Sequence, residues 1–513
     1  MGATRRGVFM RRSMQWSWLW IVLCWPVAAA AASDPLIVAA ARAGDRAAVH
    51  RLLEGGAAAT AVAVDGTTAL HWAAHGDDAE VASQLIKAGA DVNAVNRYGV
   101  TALSAAARRG SARMLSLLLT AGADLKTADA AAADGQTVLM LAARTGHVDA
   151  LQLLIRNGAD VNAAERRTGT TAVMWASVEN RAEAIRLLAE AGANLNARSR
   201  STDYPHTPPA VVGDALEPGV SYVGQTVLPK GNWTALMYAA REGAAEAARS
   251  LAAAGADLDL QDPDGTTALI FAIINGHYDV AKVLVEKGAN PNVADSTGMT
   301  PLYAAVDMHT LASTFGRPDP PPAVVAGSVD AVRMLLAAGA DPNARLLTRV
   351  LKRVHNAGDA RLGEGATPFM RAARGGDAVL MRMLLDARAD AALTQKNGNT
   401  ALLLAAGLGA DRGGNNPLRG GEIDALAALE ICLAQGLDIN AVNTGGDTAL
   451  HTAIGSPRII QFLAERGARL DARDKRGRTP LEAALNAREP HAESIALLKR
   501  LASAAQAQAN VAR

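Results

Sequence analysis

Two of the ten histidines stand four residues apart. His71 and His75 would share one face of a helix, a spacing at which two imidazoles can hold one metal ion. No third ligand accompanies them and H-E-x-x-H is absent, so the pair does not complete a metal site. There is no G-x-S-x-G elbow to present a serine, and Cys432 has no histidine positioned to make it a thiolate. The Gly-rich run Gly407 to Gly421 lacks the Lys-Ser/Thr pair that closes a phosphate-cradling loop. What remains is recognition chemistry. Arg108, Arg144, Arg241 and Arg374 each end an Ala-Ala-Arg triplet, and a guanidinium fork suits carboxylates. Tyr98 and Trp233 are aromatic anchors of the kind that concentrate binding energy. These six side chains are the candidate partner contacts. No catalytic residue, metal or cofactor is expected.

The elements that must position them are short. In residues 65 to 96, Asp65-Gly66 is a turn dipeptide, and Thr68 can accept the orphan N–H groups of a helix beginning after it. Leu70, Ala73 and Ala74 give that helix one close-packing stripe, and Gly76-Asp77 stops it. Val81, Leu85 and Ile86 mark a second helix, which Gly89 ends. Helices this short do not hold alone in water, so the unit needs neighbours. The capping threonine recurs at Thr101, Thr137, Thr171, Thr234, Thr267, Thr300, Thr367, Thr400, Thr448 and Thr479. Most steps are 31 to 36 residues, and longer ones of 63, 67 and 48 mark insertions.

The phrases Thr300-Pro301-Leu302, Gly146-His147, Gly276-His277 and Gly158-Ala159-Asp160-Val161-Asn162, at a base period of 33, resemble the ankyrin repeat family over residues 33 to 501. The resemblance implies an all-α solenoid of about twelve helix-turn-helix repeats with β-hairpin-like fingers. It implies a binding scaffold, with contacts on the fingertips and on the concave ends of the first helices. In that architecture Arg108, Arg144, Arg241 and Arg374 would line one groove, seven residues after their threonines, while Val178, Ile274 and Asp307 hold the same register elsewhere. It further implies that His71 and His451, with the threonines, make turn-stabilising hydrogen bonds. His147 and His277 fall on the family's Gly-His position.

Residues 1 to 32 read as a cleaved secretory leader. Arg5, Arg6, Arg11 and Arg12 precede an apolar run from Trp16 to Val27, and Ala28 to Ala32 offer cleavage sites. Cleavage after Ala32 would remove Cys24, leaving Cys432 unable to form an internal disulfide. Basic and acidic residues number 51 and 50, and the leader holds four arginines and no acid, so the mature chain is slightly acidic. That balance points away from nucleic acid. The expected setting is the bacterial periplasm, with secretion second, no stable membrane insertion after cleavage, and a monomer.

Repeats 1 to 5 are expected over 33–198 and repeats 6 to 12 over 231–501, with a Pro-rich insert at 199–230 and further inserts at 309–327, 346–364 and 407–421. The third, with Leu346, Leu347, Val350, Leu351 and Val354 among Arg345, Arg349, Lys352 and Arg353, has the pattern of a short basic amphipathic helix. Residues 502–513 form a polar tail expected to fray. Two readings compete with the scaffold. One is an enzyme accessory, or a small-molecule or metal pocket built by the inserts. The other is a secreted effector that binds a host protein.

Overall fold

The computed structural model describes residues 34–131, 135–201, 231–310, 322–348, 361–407 and 422–511. Among these are twenty-five helices and two isolated β-bridges, Val62 with Thr68 and Ala164 with Thr171, so the chain is the expected all-α repeat array with minimal fingers. Residues 1–33, carrying the expected leader, and 202–230, carrying most of the Pro-rich insert, lie outside the described residues. The chain forms two compact blocks, one ending at Asn194 and one beginning at Leu195.

Within each block the repeat follows from a few residues. The Thr68 backbone is extended, and its hydroxyl accepts the His71 N–H at 3.3 Å. His71 closes the cap from the other side. Its Nδ1 accepts the Thr68 N–H at 3.1 Å, so Nε2 carries the proton and donates to the Val100 carbonyl of the next finger at 2.9 Å. His451 does the same between Thr448 and the Arg478 carbonyl. Ser104, Met140 and Glu482 take the histidine's place in other repeats. First helices pack through Leu70, Leu103, Leu139 and Val173, and second helices through pairs such as Leu115 with Leu118 and Leu151 with Leu154, all buried. Each such leucine contributes about 2 kcal/mol of transfer free energy.

Two ladders of polar bonds join neighbouring repeats. The Asn93 amide donates to the Gly122 carbonyl at 3.2 Å while its oxygen accepts the Asp124 N–H at 2.8 Å. Asn162, Asn292, Asn343 and Asn440 repeat this double link. In the finger row, a backbone N–H four residues before one capping threonine donates to the carbonyl three residues before the previous one. Arg97 reaches Asp65 at 2.8 Å, and Lys396 reaches Glu364 at 2.9 Å. Where repeat 8 is interrupted, Leu347 takes the donor's place and reaches Thr297 at 2.8 Å. Gly298 makes that approach feasible: its φ is +82° and a Cβ would stand 2.6 Å from the Leu347 nitrogen.

Several expectations are corrected. The insert expected at 309–327 is partly helical, because the first helix of repeat 8 runs Pro301–Thr310 and the second begins at Pro322. Leu346 and Leu347 do not share a helical face. Leu346 is buried and pairs through its backbone with Ala366, whereas Leu347 is exposed. Residues 349–360, holding the rest of that expected amphipathic helix, and 408–421 of the Gly-rich run lie outside the described residues. The C-terminal helix runs Ala492–Val511, so residues 502–511 of the expected polar tail are helical. An additional helix, Leu125–Ala131, occupies the finger before repeat 4, started by the Asp124 carboxylate, which accepts from the Lys126 and Thr127 N–H groups.

Candidate functional site

In the first block the inner helix ends form a mixed aromatic and cationic surface. Trp72 meets His75 edge to face, centroids 5.9 Å apart. Arg108 is exposed at the corresponding end of the next first helix. Arg144 lies over the Trp175 ring, 5.0 Å from its centroid, and its Nε is 3.3 Å from Glu179. The indole and carboxylate together hold the guanidinium in place. Tyr98 stands at a fingertip, 69% exposed, with its N–H held by Asn96.

The second block contains a parallel arrangement. Arg241 lies over Trp233 at 5.0 Å, with Glu242 at 3.5 Å from its Nε. Trp233 is half-buried, at the base of a finger and not at its tip. It packs edge to face on Tyr238 and Phe271, and its Nε1 donates to Asp262 at 3.3 Å. Two of the six candidates, Trp233 and Arg241, are therefore brought together. Tyr238, Phe271, Trp175, Glu179 and Asp262 were not singled out from the sequence. A signal existed for the aromatic ones: Trp72, Trp175, Tyr238 and Phe271 all lie four residues after a capping threonine, one helical turn before the arginine register.

Arg374 has a different environment. It is 0% exposed, which takes it off the accessible surface. Arg371, one turn earlier, is 3% exposed and bonds the Asp307 carboxylate of the preceding repeat through Nε. Arg361 and Arg374 both reach Gly407, where a side chain would collide with the Arg361 guanidinium. Nearby, the extra turn of the repeat 8 first helix carries His309. Its Nδ1 is 2.8 Å from the Ser328 hydroxyl and its Nε2 2.9 Å from Asp377. Hydroxyl, imidazole and carboxylate stand in the order of a nucleophile relay, yet Ser328 is fully buried, so no substrate carbonyl can meet it in this conformation. Asp377 also caps the helix Ala378–Asp386, accepting the Leu380 N–H at 2.9 Å. The relay ties adjacent repeats together.

The titratable groups fit this picture. Burial holds the His71 imidazole below its ordinary pKa, keeping it the neutral capping group. Burial pushes the Cys432 thiol up to about 12, so it is an inert core side chain. His71 and His75 acquire no third ligand: no group of three His, Cys, Asp or Glu suited to a metal occurs among the described residues. No helix among them is long and apolar enough to cross a membrane.

Comparison with known proteins bears on this architecture. The family model described as ankyrin repeats (3 copies) matches residues 36–129, 125–199 and 236–313. The single ankyrin repeat model matches 297–345 and 445–475. No curated protein matches. Among solved structures, the crystal structure of the human ASB11 ankyrin repeat domain is similar at 24% identity and a TM-score of 0.40, over 50% of this chain and 98% of that one.

Proposed function

The chain belongs to the ankyrin repeat family, and on that footing we propose that it is an exported, non-catalytic scaffold that binds another protein in the bacterial periplasm. The observation that carries the reading is the repeated tryptophan-guanidinium pair, Arg144 on Trp175 and Arg241 on Trp233. Each is a rigid, half-buried platform with an apolar face and donors at its edge, the composition of an interface anchor. Arg108 and Tyr98 are exposed in the same block as the first of these platforms. Arg374 is excluded from the contact set by its burial. The leader at 1–32 supports export, and periplasmic retention separates this reading from a secreted effector in a fractionation experiment.

The test is affinity capture from periplasm with the mature chain, alone and with Arg108, Arg144 and Arg241 changed to Glu. A partner retained by the native chain and lost by the triple variant supports the reading. A partner captured equally by both removes the arginine surface from it. A second reading, a pocket built by the inserts for a small anion, is favoured by the approach of Arg361 and Arg374 to the same place at Gly407. It requires Arg374→Met to abolish a phosphate- or carboxylate-dependent rise in melting temperature.

A further inference from the structure

The first helices of the first block carry one charge pattern through consecutive repeats. The seventh residue is Arg42 in Leu36–Ala43, His75 in Ala69–His75, Arg108 in Ala102–Arg109 and Arg144 in Val138–Thr145. Arg42, His75 and Arg108 are exposed, and Arg144 is half-buried. Each of these helices packs on the next, so the side chains form one row of basic groups. One turn earlier, Trp72 and the Trp175 of the fifth repeat hold the same position, with buried Ala105 and Leu141 between them.

A cation in the last turn complements a helix dipole. The dipole does not demand one, because Val178, Ile274 and Asp307 hold the same position in later helices. The row therefore ends at Val178 and is not rebuilt in the second block, where Arg241 is followed by Ile274, Asp307 and buried Arg374. The protein's own carboxylates meet the row at its ends. Asp34 lies 2.7 Å from Arg42, and Glu179 lies 3.3 Å from Arg144. Both pairs are partly exposed and contribute little, so an incoming carboxylate can replace either. Of the acids after His75, Asp78 is bonded to Arg46, and Asp77 is exposed.

We propose that this row holds an extended acidic segment of a partner protein, with a carboxylate at every third residue. Packed helices stand about 8–10 Å apart. An extended chain rises about 3.3 Å per residue, so three residues span one repeat. Carboxylates at i, i+3, i+6 and i+9 then meet Arg42, His75, Arg108 and Arg144 in turn, and each guanidinium fork suits its carboxylate. An apolar residue between them packs on the half-buried Trp72 ring. The inference rests on the scaffold reading and gives the chemistry and register of the partner's docking segment.

The probes are synthetic twelve-residue peptides of one composition, Asp among Ala, Ser and Leu, titrated into the mature chain near physiological salt. One peptide has Asp at every third position; its isomers have the same Asp residues at alternate positions or in one run. The third-residue peptide should bind about tenfold tighter than either isomer. Its affinity should fall about tenfold in Arg108→Ala and about threefold in Arg42→Ala. Arg186→Ala, which removes a positive charge from the helix Ala182–Glu190 of the same block, should change it less than about twofold. Unchanged melting temperatures show that the variants are folded, and the comparison of isomers on the native chain needs no variant. Equal binding of the isomers overturns the proposal, as does equal binding of an oligothymidylate of the same charge, because the row then attracts any polyanion. Absence of binding by every peptide also overturns it. If periplasmic capture nonetheless yields a partner that the triple Glu variant loses, the scaffold reading stands without this register; if capture fails as well, both fall.

Discussion

Arg108 and Arg374 hold the same place in their repeats, seven residues after the capping threonine, and end in opposite environments. The first is exposed and the second has no accessible surface. Neither the threonine nor the Ala-Ala-Arg triplet distinguishes them. The neighbours do. Around Arg374 the preceding repeat supplies Asp307, which bonds Arg371, and an extra helical turn carrying His309. The following repeat has Gly407 where an inner side chain would otherwise stand. A repeat position therefore specifies where a side chain starts, and the two flanking repeats specify whether it becomes surface or core.

The sharpest way to break the comparison is to remove a buried partner. Asp307→Ala leaves the Arg371 guanidinium buried beside a lost carboxylate and should cost about 3–5 kcal/mol. Arg108→Ala, on the exposed side, should change stability by less than about 0.5 kcal/mol. Hydrogen exchange resolved by block checks both, and a mild effect of Asp307→Ala would show that the pair is not buried in solution. Next in size is the asparagine link. Asn93→Ala and Asn343→Ala each remove two neutral bonds, so each should cost about 2 kcal/mol, equally in the regular and the interrupted region. Unequal costs from denaturant unfolding would mean that the interrupted repeats rely on other contacts. Arg144→Ala loses a stacked and partly exposed pair and should cost about 1 kcal/mol or less, while weakening partner capture far more.

The smallest effect is a pH dependence confined to the first block. His71 is held below its ordinary value of 6.5, so the unfolded chain takes up the proton first. Its contribution is complete above about pH 6.5 and is lost as pH falls below that value. His71→Gln should flatten the stability profile between pH 7 and 5, and an unchanged slope would assign that dependence to other groups.

Much of this fold was legible because its determinants are local. Thr68, Gly66 and the stripe of Leu70, Ala73 and Ala74 act within one repeat, and their period carries the architecture. The roles of His71 and His451 follow from the same register. The fate of Arg374 was not legible, because it is decided in part by Asp307, which lies across an insertion. Trp233 reads from the sequence only as an aromatic anchor flanking a finger, because the Pro-rich stretch before it hides where that finger closes; Ser199 bonds its backbone and sets it at the finger's base. The Arg241 and Trp233 pair spans eight residues of sequence, yet it needs both the finger and the helix end to be placed before it can be seen.

The asparagine link carries one more consequence. Asn343 reaches Arg388 across 45 positions, and Asn93 reaches Gly122 across 29, at the same 3.2 Å. The joint is indifferent to how much chain is spliced between its ends, and doubling an intervening loop adds only about 0.6 kcal/mol of closure entropy. Such junctions behave as docking ports in the chain's design. Foreign sequence grafted at 349–360 or 202–230 should be carried by the stacks on either side without retuning them, which makes this molecule a natural chassis for displaying inserted segments.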